Sequence, residues 1–150
     1  MSTARDAATV ALAPEPAFEL WTDVRRWASF VDGFGHVDRV DESWPAEGAK
    51  LVWRSGPSGR GMVTERVVAS EPGARLVTQV YDERMSGTQE VRFTPADDGA
   101  RIDLELEYTL NRPGPLAPIT DFLFIRRAQT DSLRRTLRRF ATEAAEQAAM

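Results

Sequence analysis

Residues 101–110 read RIDLELEYTL, residues 111–115 read NRPGP, and an arginine-rich stretch with regularly spaced apolar side chains runs from there towards residue 150. In the first segment Ile102, Leu104, Leu106, Tyr108 and Leu110 alternate with Asp103, Glu105 and Glu107. That period of two describes a strand with one buried face and one wet face. Beyond the Pro/Gly break, Leu116, Ile119, Leu123, Leu133, Leu137, Phe140 and Ala144 recur in steps that hold one side of a helix apolar almost to the C-terminus. A long amphipathic helix that follows a set of strands hides its stripe most economically inside the curve of their sheet. The expected class is therefore α+β, with a space enclosed between sheet and helix.

Working backwards, the chain predicts short strands at about 36–42, 49–55, 61–70, 75–82, 88–95 and 100–111. Turn chemistry separates them at Pro45 to Gly48, Gly56 to Gly59, Glu71-Pro72-Gly73, Ser86-Gly87 and Asp97-Asp98-Gly99. Connections this short join antiparallel neighbours. A further strand is expected over Ala7 to Ala13, with Ala8, Val10 and Leu12 on one side. Pro14-Glu15-Pro16 stops it, and Pro16 suits the first position of a helix carrying Phe18, Leu20, Trp21 and Val24. A second short helix, about Arg25 to Val31, buries Trp27 and Phe30 and ends at Gly33 and Gly35. Neither helix is long enough to be stable alone, so packing against one end of the sheet must hold them.

Composition narrows the function. With 150 residues and 42% hydrophobic content, the chain can build its core as a single domain over 1–150 without staples. It has no Cys and a single His, so neither a thiol nucleophile nor a metal site is expected, and no cofactor is called for. A net charge of -4 gives no broad attraction to nucleic acid. The arginine-rich face of the last helix is interspersed with Glu143 and Glu146, as on a solvated surface. The glycine-rich run Ser55 to Gly61 lacks a following helix and a Gly-Lys-Ser element, so a hairpin loop is the expectation. The first residues lack the apolar core of a signal peptide, and no apolar run reaches membrane-spanning length. A cytoplasmic protein without integral membrane association, monomer or homodimer, is the expectation.

The order of strand, two short helices, six strands and long helix resembles the START-like or SRPBCC superfamily and its helix-grip fold, in particular the polyketide cyclase/dehydrase branch. The local matches are Ala13-Pro14 ahead of Phe18-Glu19-Leu20-Trp21-Thr22-Asp23, the second helix at Trp27, Glu71-Pro72 with Leu76, and Phe93-Thr94-Pro95 followed by Asp98-Gly99. Gly99-Ala100 stands where many relatives have Gly-Thr, a departure that touches only a turn. These motifs are turns and core positions and span nearly the whole chain. The resemblance implies about seven antiparallel strands curved around the C-terminal helix, with a hydrophobic cavity between them. It also implies a small hydrophobic or aromatic ligand, lipid- or polyketide-like. Fold alone does not choose between carrier and enzyme.

Extending the stripe of the last helix through its middle places Arg126 and Thr130 beside Ile119, Leu123, Leu133 and Leu137, facing inward. Arg127, Arg134, Arg135, Arg138 and Arg139 fall on the other side. A buried guanidinium needs a partner. Arg126 is therefore expected to meet a strand acid such as Glu65 or Glu90, to snorkel to the cavity mouth, or to hold a ligand oxygen with its forked donors. Trp27, Phe30, Trp53, Tyr81, Phe93, Tyr108 and Phe122 are the aromatic candidates for the cavity wall, and each is equally at home as plain core. Tyr108 has a hydroxyl in an apolar row and wants a partner. His36, the sole imidazole, is expected near the cavity mouth and is the sole His able to move a proton there. Two functions follow: a carrier or sensor of a small hydrophobic molecule, or a polyketide cyclase/aromatase or dehydratase that works by holding its substrate bent. No mutually supporting acid–base pair is legible, and this favours the carrier.

Overall fold

The computed structural model describes residues 1–57, 61–111 and 119–150, with the side chains of 119–124 left out. Seven strands form one antiparallel sheet: β1 (Ser2–Val10), β2 (Phe34–Val40), β3 (Lys50–Ser55), β4 (Met62–Glu71), β5 (Arg75–Tyr81), β6 (Met85–Ala96) and β7 (Gly99–Leu110). Their spatial order is β1-β7-β6-β5-β4-β3-β2. The strands from β2 to β7 form a plain meander, and β1 closes on β7. Helix α1 (Pro14–Thr22), a 3-10 turn (Val24–Arg26) and helix α2 (Trp27–Phe30) carry the chain from one edge of the sheet to the other. Helix α3 (Ile119–Ala148) packs against β1 and α2. Among the described residues, no helix is long and apolar enough to cross a membrane.

The register defines the concave face. Ile102, Leu104, Leu106 and Tyr108 of β7 stand opposite Phe93, Val91, Gln89 and Gly87 of β6. The same face continues through Leu76, Thr78 and Val80 of β5 to Val63, Glu65 and Val67 of β4, then to Leu51 and Trp53 of β3. Against it lie Leu133, Leu137, Phe140 and Ala144 of α3, all buried as their spacing predicts. Leu116 falls outside the described residues, as do the side chains of Ile119 and Leu123.

Some boundaries differ from the expected ones for identifiable reasons. Strand β1 starts at Ser2, because pairing with β7 runs through Ser2, Thr3 and Arg5, where no apolar alternation marks a strand. The turn before β6 is Asp82 to Arg84, where the Asp82 carboxylate accepts from the backbone N–H of Arg84 and Met85 at 2.7 and 2.9 Å. Ser86 and Gly87 belong to the strand instead. A Cβ at Gly87 would sit 2.2 Å from the Glu107 carbonyl oxygen, so this glycine serves close backbone approach and makes no turn. Pro14 takes the start of α1, two residues ahead of Pro16.

Candidate functional site

A cavity of about 50 Å³ lies between the concave sheet and α3. Its wall combines the indoles of Trp21, Trp27 and Trp53 with Leu104, Leu106 and Leu133. Its polar groups are Asp32, Glu65, Gln89, Gln129, Ser132 and Thr136. In this state it has room for about three ordered waters, whereas a drug-sized guest needs roughly 300 Å³ or more. A separate open cleft of about 560 Å³ is lined by Glu83, Arg84, Leu110 and Ile125. Gln129 borders the inner cavity and its amide donates to the Met85 sulfur at 3.5 Å. Met85 follows Arg84 in the chain and pairs with Leu110, so the Gln129–Met85 contact stands where the two spaces approach each other.

Glu65 is the centre of this site. It is only 4% exposed, at an inward position of β4 between Val63 and Val67. Burying a carboxylate costs several kcal/mol unless donors surround it. Trp53 Nε1 donates to Glu65 Oε2 at 2.8 Å, and the Thr78 hydroxyl donates to Oε1 at 3.1 Å. The same bond fixes the Trp53 indole, whose ring meets Trp27 edge-on at 6.3 Å. Trp27 in turn donates its Nε1 to the Trp21 carbonyl at 2.8 Å. A carboxylate and three oriented indoles thus share one wall.

The rim is fastened by Asp32, in the loop after α2. Its carboxylate accepts from Arg135 Nε and Nη2, both at 3.0 Å, from Arg139 at 3.3 Å and from the Ser132 hydroxyl at 2.9 Å. Its backbone N–H donates to the Thr136 hydroxyl at 2.9 Å. Burial raises the Asp32 pKa, but the bonds from Arg135 and Ser132 and the nearby arginine charges outweigh it and hold the carboxyl below the ordinary 3.8. A folded-state pKa below the unfolded one stabilises the protein above the unfolded value and is lost as pH falls through the folded value. Asp32→Asn is expected to lose about 1–2 kcal/mol at neutral pH, since the charge-assisted bonds from Arg135, Arg139 and Ser132 weaken. Urea denaturation should show that gap closing below about pH 3.8. An equal gap at pH 7 and pH 3 contradicts the assignment.

The predicted site residues separate into three groups. Trp27 and Trp53 line the cavity. Phe30, Phe93 and Tyr108 are buried, but as the walls behind it. Phe30 packs on Trp21 and Phe140, and Phe93 meets Phe18 edge-on at 5.5 Å. Burial raises the Tyr108 phenol pKa, opposed by a hydrogen bond with the Ser2 side chain and by the charge of Arg126. The Phe122 side chain lies outside the described residues.

The structure places the remaining candidates away from the cavity lining. Arg126 is exposed and is not the inward charge of α3. On that stretch the sheet-facing side is carried by Ile125, Gln129 and Ser132, and water draws a long cationic side chain outward. Thr130 is half-buried and its hydroxyl donates to the Arg126 carbonyl at 3.1 Å, within the helix. Tyr81 is 45% exposed on the convex face, its hydroxyl bonded to Gln79. His36 is exposed on edge strand β2, paired with Asp38 at 3.0 Å, and does not reach the cavity. The expected pairing of Glu90 is also different, since it meets Arg75 and Arg92 outside the sheet.

The sequence offers Glu65 as a possible partner for Arg126, and the structure places it in the cavity wall. The signal was present: in Val63-Thr64-Glu65-Arg66-Val67 the acid shares the phase of the two valines. Gln89 and Gln129 gave no such signal, since neutral amides fit either face.

A family model described as polyketide cyclase/dehydrase and lipid transport matches residues 1–145. A search of the curated proteins finds no match. Among solved structures, the chain is similar to the di-domain ARO/CYC StfQ from the steffimycin biosynthetic pathway. The TM-score is 0.78 at 19% identity, over 99% of this chain and 52% of that one, so it spans about half of StfQ. It is also similar to the Zhui aromatase/cyclase from Streptomyces sp. R1128, with a TM-score of 0.78 at 15% identity over 95% and 93% of the two chains. Protein CV1439 from Chromobacterium violaceum gives 0.67 at 18% identity, over 96% and 98%. At these identities the likeness is one of fold, the curved sheet gripping a C-terminal helix.

Proposed function

This chain belongs to the polyketide cyclase/dehydrase and lipid-transport family, and we propose that it binds a small hydrophobic or aromatic molecule between the sheet and α3, as a carrier or sensor. The observation behind this reading is the wall of Trp21, Trp27 and Trp53 beside the buried Glu65. A core built for stability alone gains nothing from a carboxylate at an inward sheet position, because an apolar side chain of similar volume is as good or better there. A polar group kept within an aromatic wall is the ordinary composition of a ligand site. The small present volume means that a guest must widen the cavity. The Gln129–Met85 contact is a weak one to break, and the larger cleft lies beside it.

Native mass spectrometry of freshly purified protein tests the reading. The expected result is a fraction carrying a non-covalent adduct of a few hundred daltons, which denaturation releases. Bare protein in every preparation, with no Trp fluorescence change on titration with planar aromatic compounds, counts against it.

The second reading is a polyketide cyclase/aromatase or dehydratase, and Glu65 is what favours it. A carboxylate with little access to water can take a proton from an activated carbon while the wall holds a poly-carbonyl chain bent. Turnover of a polyketide precursor that Glu65→Gln abolishes distinguishes the enzyme from the carrier, for which binding proceeds without turnover.

A further inference from the structure

Building on the reading that a small molecule occupies this space, we infer that Gln89 is the specificity-determining contact, and that the ligand presents a hydrogen-bond donor and acceptor side by side on one flat edge, as a cyclic amide does. Gln89 stands on the floor of the sheet, paired across the strands with Thr78 of β5 and Leu106 of β7. It borders the cavity and is half-buried. Its phase in β6 is that of Val91 and Phe93, both buried and apolar. An apolar side chain there would gain the free energy of burial, which an amide largely forgoes.

The other described polar side chains of the wall are committed. Asp32 accepts from Arg135, Arg139 and Ser132, and Thr136 accepts from the Asp32 backbone N–H. Glu65 accepts from Trp53 and from Thr78, the neighbour of Gln89 in register. Gln129, on the helix side, donates to the Met85 sulfur. Among the described residues the Gln89 side chain makes no hydrogen bond, so both ends of its amide face the cavity open.

A primary amide carries its N–H donors and its carbonyl acceptor side by side in one plane. While the cavity is open to solvent, water can serve both ends. A guest that fills the space expels that water and must replace both bonds, or leave a polar group unpaired in dry surroundings. A guest with one polar atom answers half of the amide. A guest with donor and acceptor on one edge answers both halves at once, and because the amide plane can turn over, either order of the pair fits. Such an edge lies in the plane of its ring, and the indoles of Trp21, Trp27 and Trp53 supply the flat apolar surface for the rest of the molecule.

The test titrates two probes of one skeleton calorimetrically into the full chain at neutral pH. 2-Quinolone carries the paired edge, and N-methyl-2-quinolone keeps only the acceptor. The expected result is that 2-quinolone binds about 10-fold more tightly. In Gln89→Met, with folding checked by its melting transition, that preference should fall to about 2-fold or less, through weaker binding of 2-quinolone. A merely structural role for Gln89 would weaken both probes together and leave their ratio intact. Equal affinity in the wild type, or a preference that survives in the variant, overturns the inference while leaving ligand binding intact. Failure of both probes to bind also overturns it, and the native mass spectrum then decides the reading beneath: an adduct keeps it and bare protein removes it. Gln89→Leu repeats the comparison if the methionine variant does not fold.

Discussion

Phe140→Ala is expected to cost about 3–5 kcal/mol, the range for removing a fully buried aromatic ring. Phe140 is 0% exposed and joins three elements at once. Its ring lies 5.2 Å from Trp21 of α1 and 5.1 Å from Phe30 of α2, in edge-on geometry. Neither short helix is stable alone, so both depend on this contact with α3. The loss is a large share of the roughly 5–15 kcal/mol that stabilises an ordinary domain. Urea titration of wild type and variant measures it, with an unchanged slope showing that the same surface is exposed on unfolding. Phe140→Leu should recover part of the loss, because some of the cavity is refilled. A loss below about 1 kcal/mol for the alanine variant contradicts this account of the packing.

Gly99→Ala is the second large effect, and its sign is informative. Replacing a glycine in extended chain by alanine is normally neutral or mildly stabilising, because the unfolded chain loses freedom. Here the new Cβ would stand 1.9 Å from the Val10 carbonyl oxygen and 3.0 Å from its carbon. Both are backbone atoms and cannot rotate aside. The ends of β1 and β7, paired at Val10 and Ala100, must separate. A destabilisation of about 3 kcal/mol, the upper part of the range for overpacking, is expected. Hydrogen exchange should show lost amide protection in β1 with β4 and β5 unaffected. Gly33→Ala is the control: its φ of 75° makes alanine unfavourable, but nothing lies within 4 Å of the added carbon. Its cost should stay near 1–2 kcal/mol.

How much of this was legible from the residues depends on what kind of signal each one carried. Strand β7 declared itself because Ile102 to Leu110 alternate with acids, and a side-chain period of two is set by the pleat. The second half of α3 was equally plain, since Leu133, Leu137 and Phe140 leave only one face for the sheet. In strand β1 the residues give the phase at Ala8 and Val10 and not the start, because Ser2 to Asp6 depend on a partner distant in sequence.

The site was less legible than the fold. Whether Arg126 faces inward turns on how α3 crosses the sheet, and residue spacing cannot supply that. The two faces of β5 were likewise indistinct, since Leu76, Val77, Thr78 and Val80 are all buried there. Tyr81 ended on the outer one, 45% exposed. Glu65 is legible as a charged residue that shares a phase with valines on both sides.

The place of β1 also bears on how the protein is made. It forms one edge of the sheet, and among the described residues its only strand partner is β7, the last of the described strands to be synthesised. Its other neighbour, α3, emerges later still. A nascent chain therefore carries β1 unpaired until β7 has been synthesised. Meanwhile the meander behind it presents an uncovered apolar palm. Contacts so remote in sequence make for slow folding and a long interval open to aggregation. Chaperone occupancy on this polypeptide should accordingly persist until α3 has emerged.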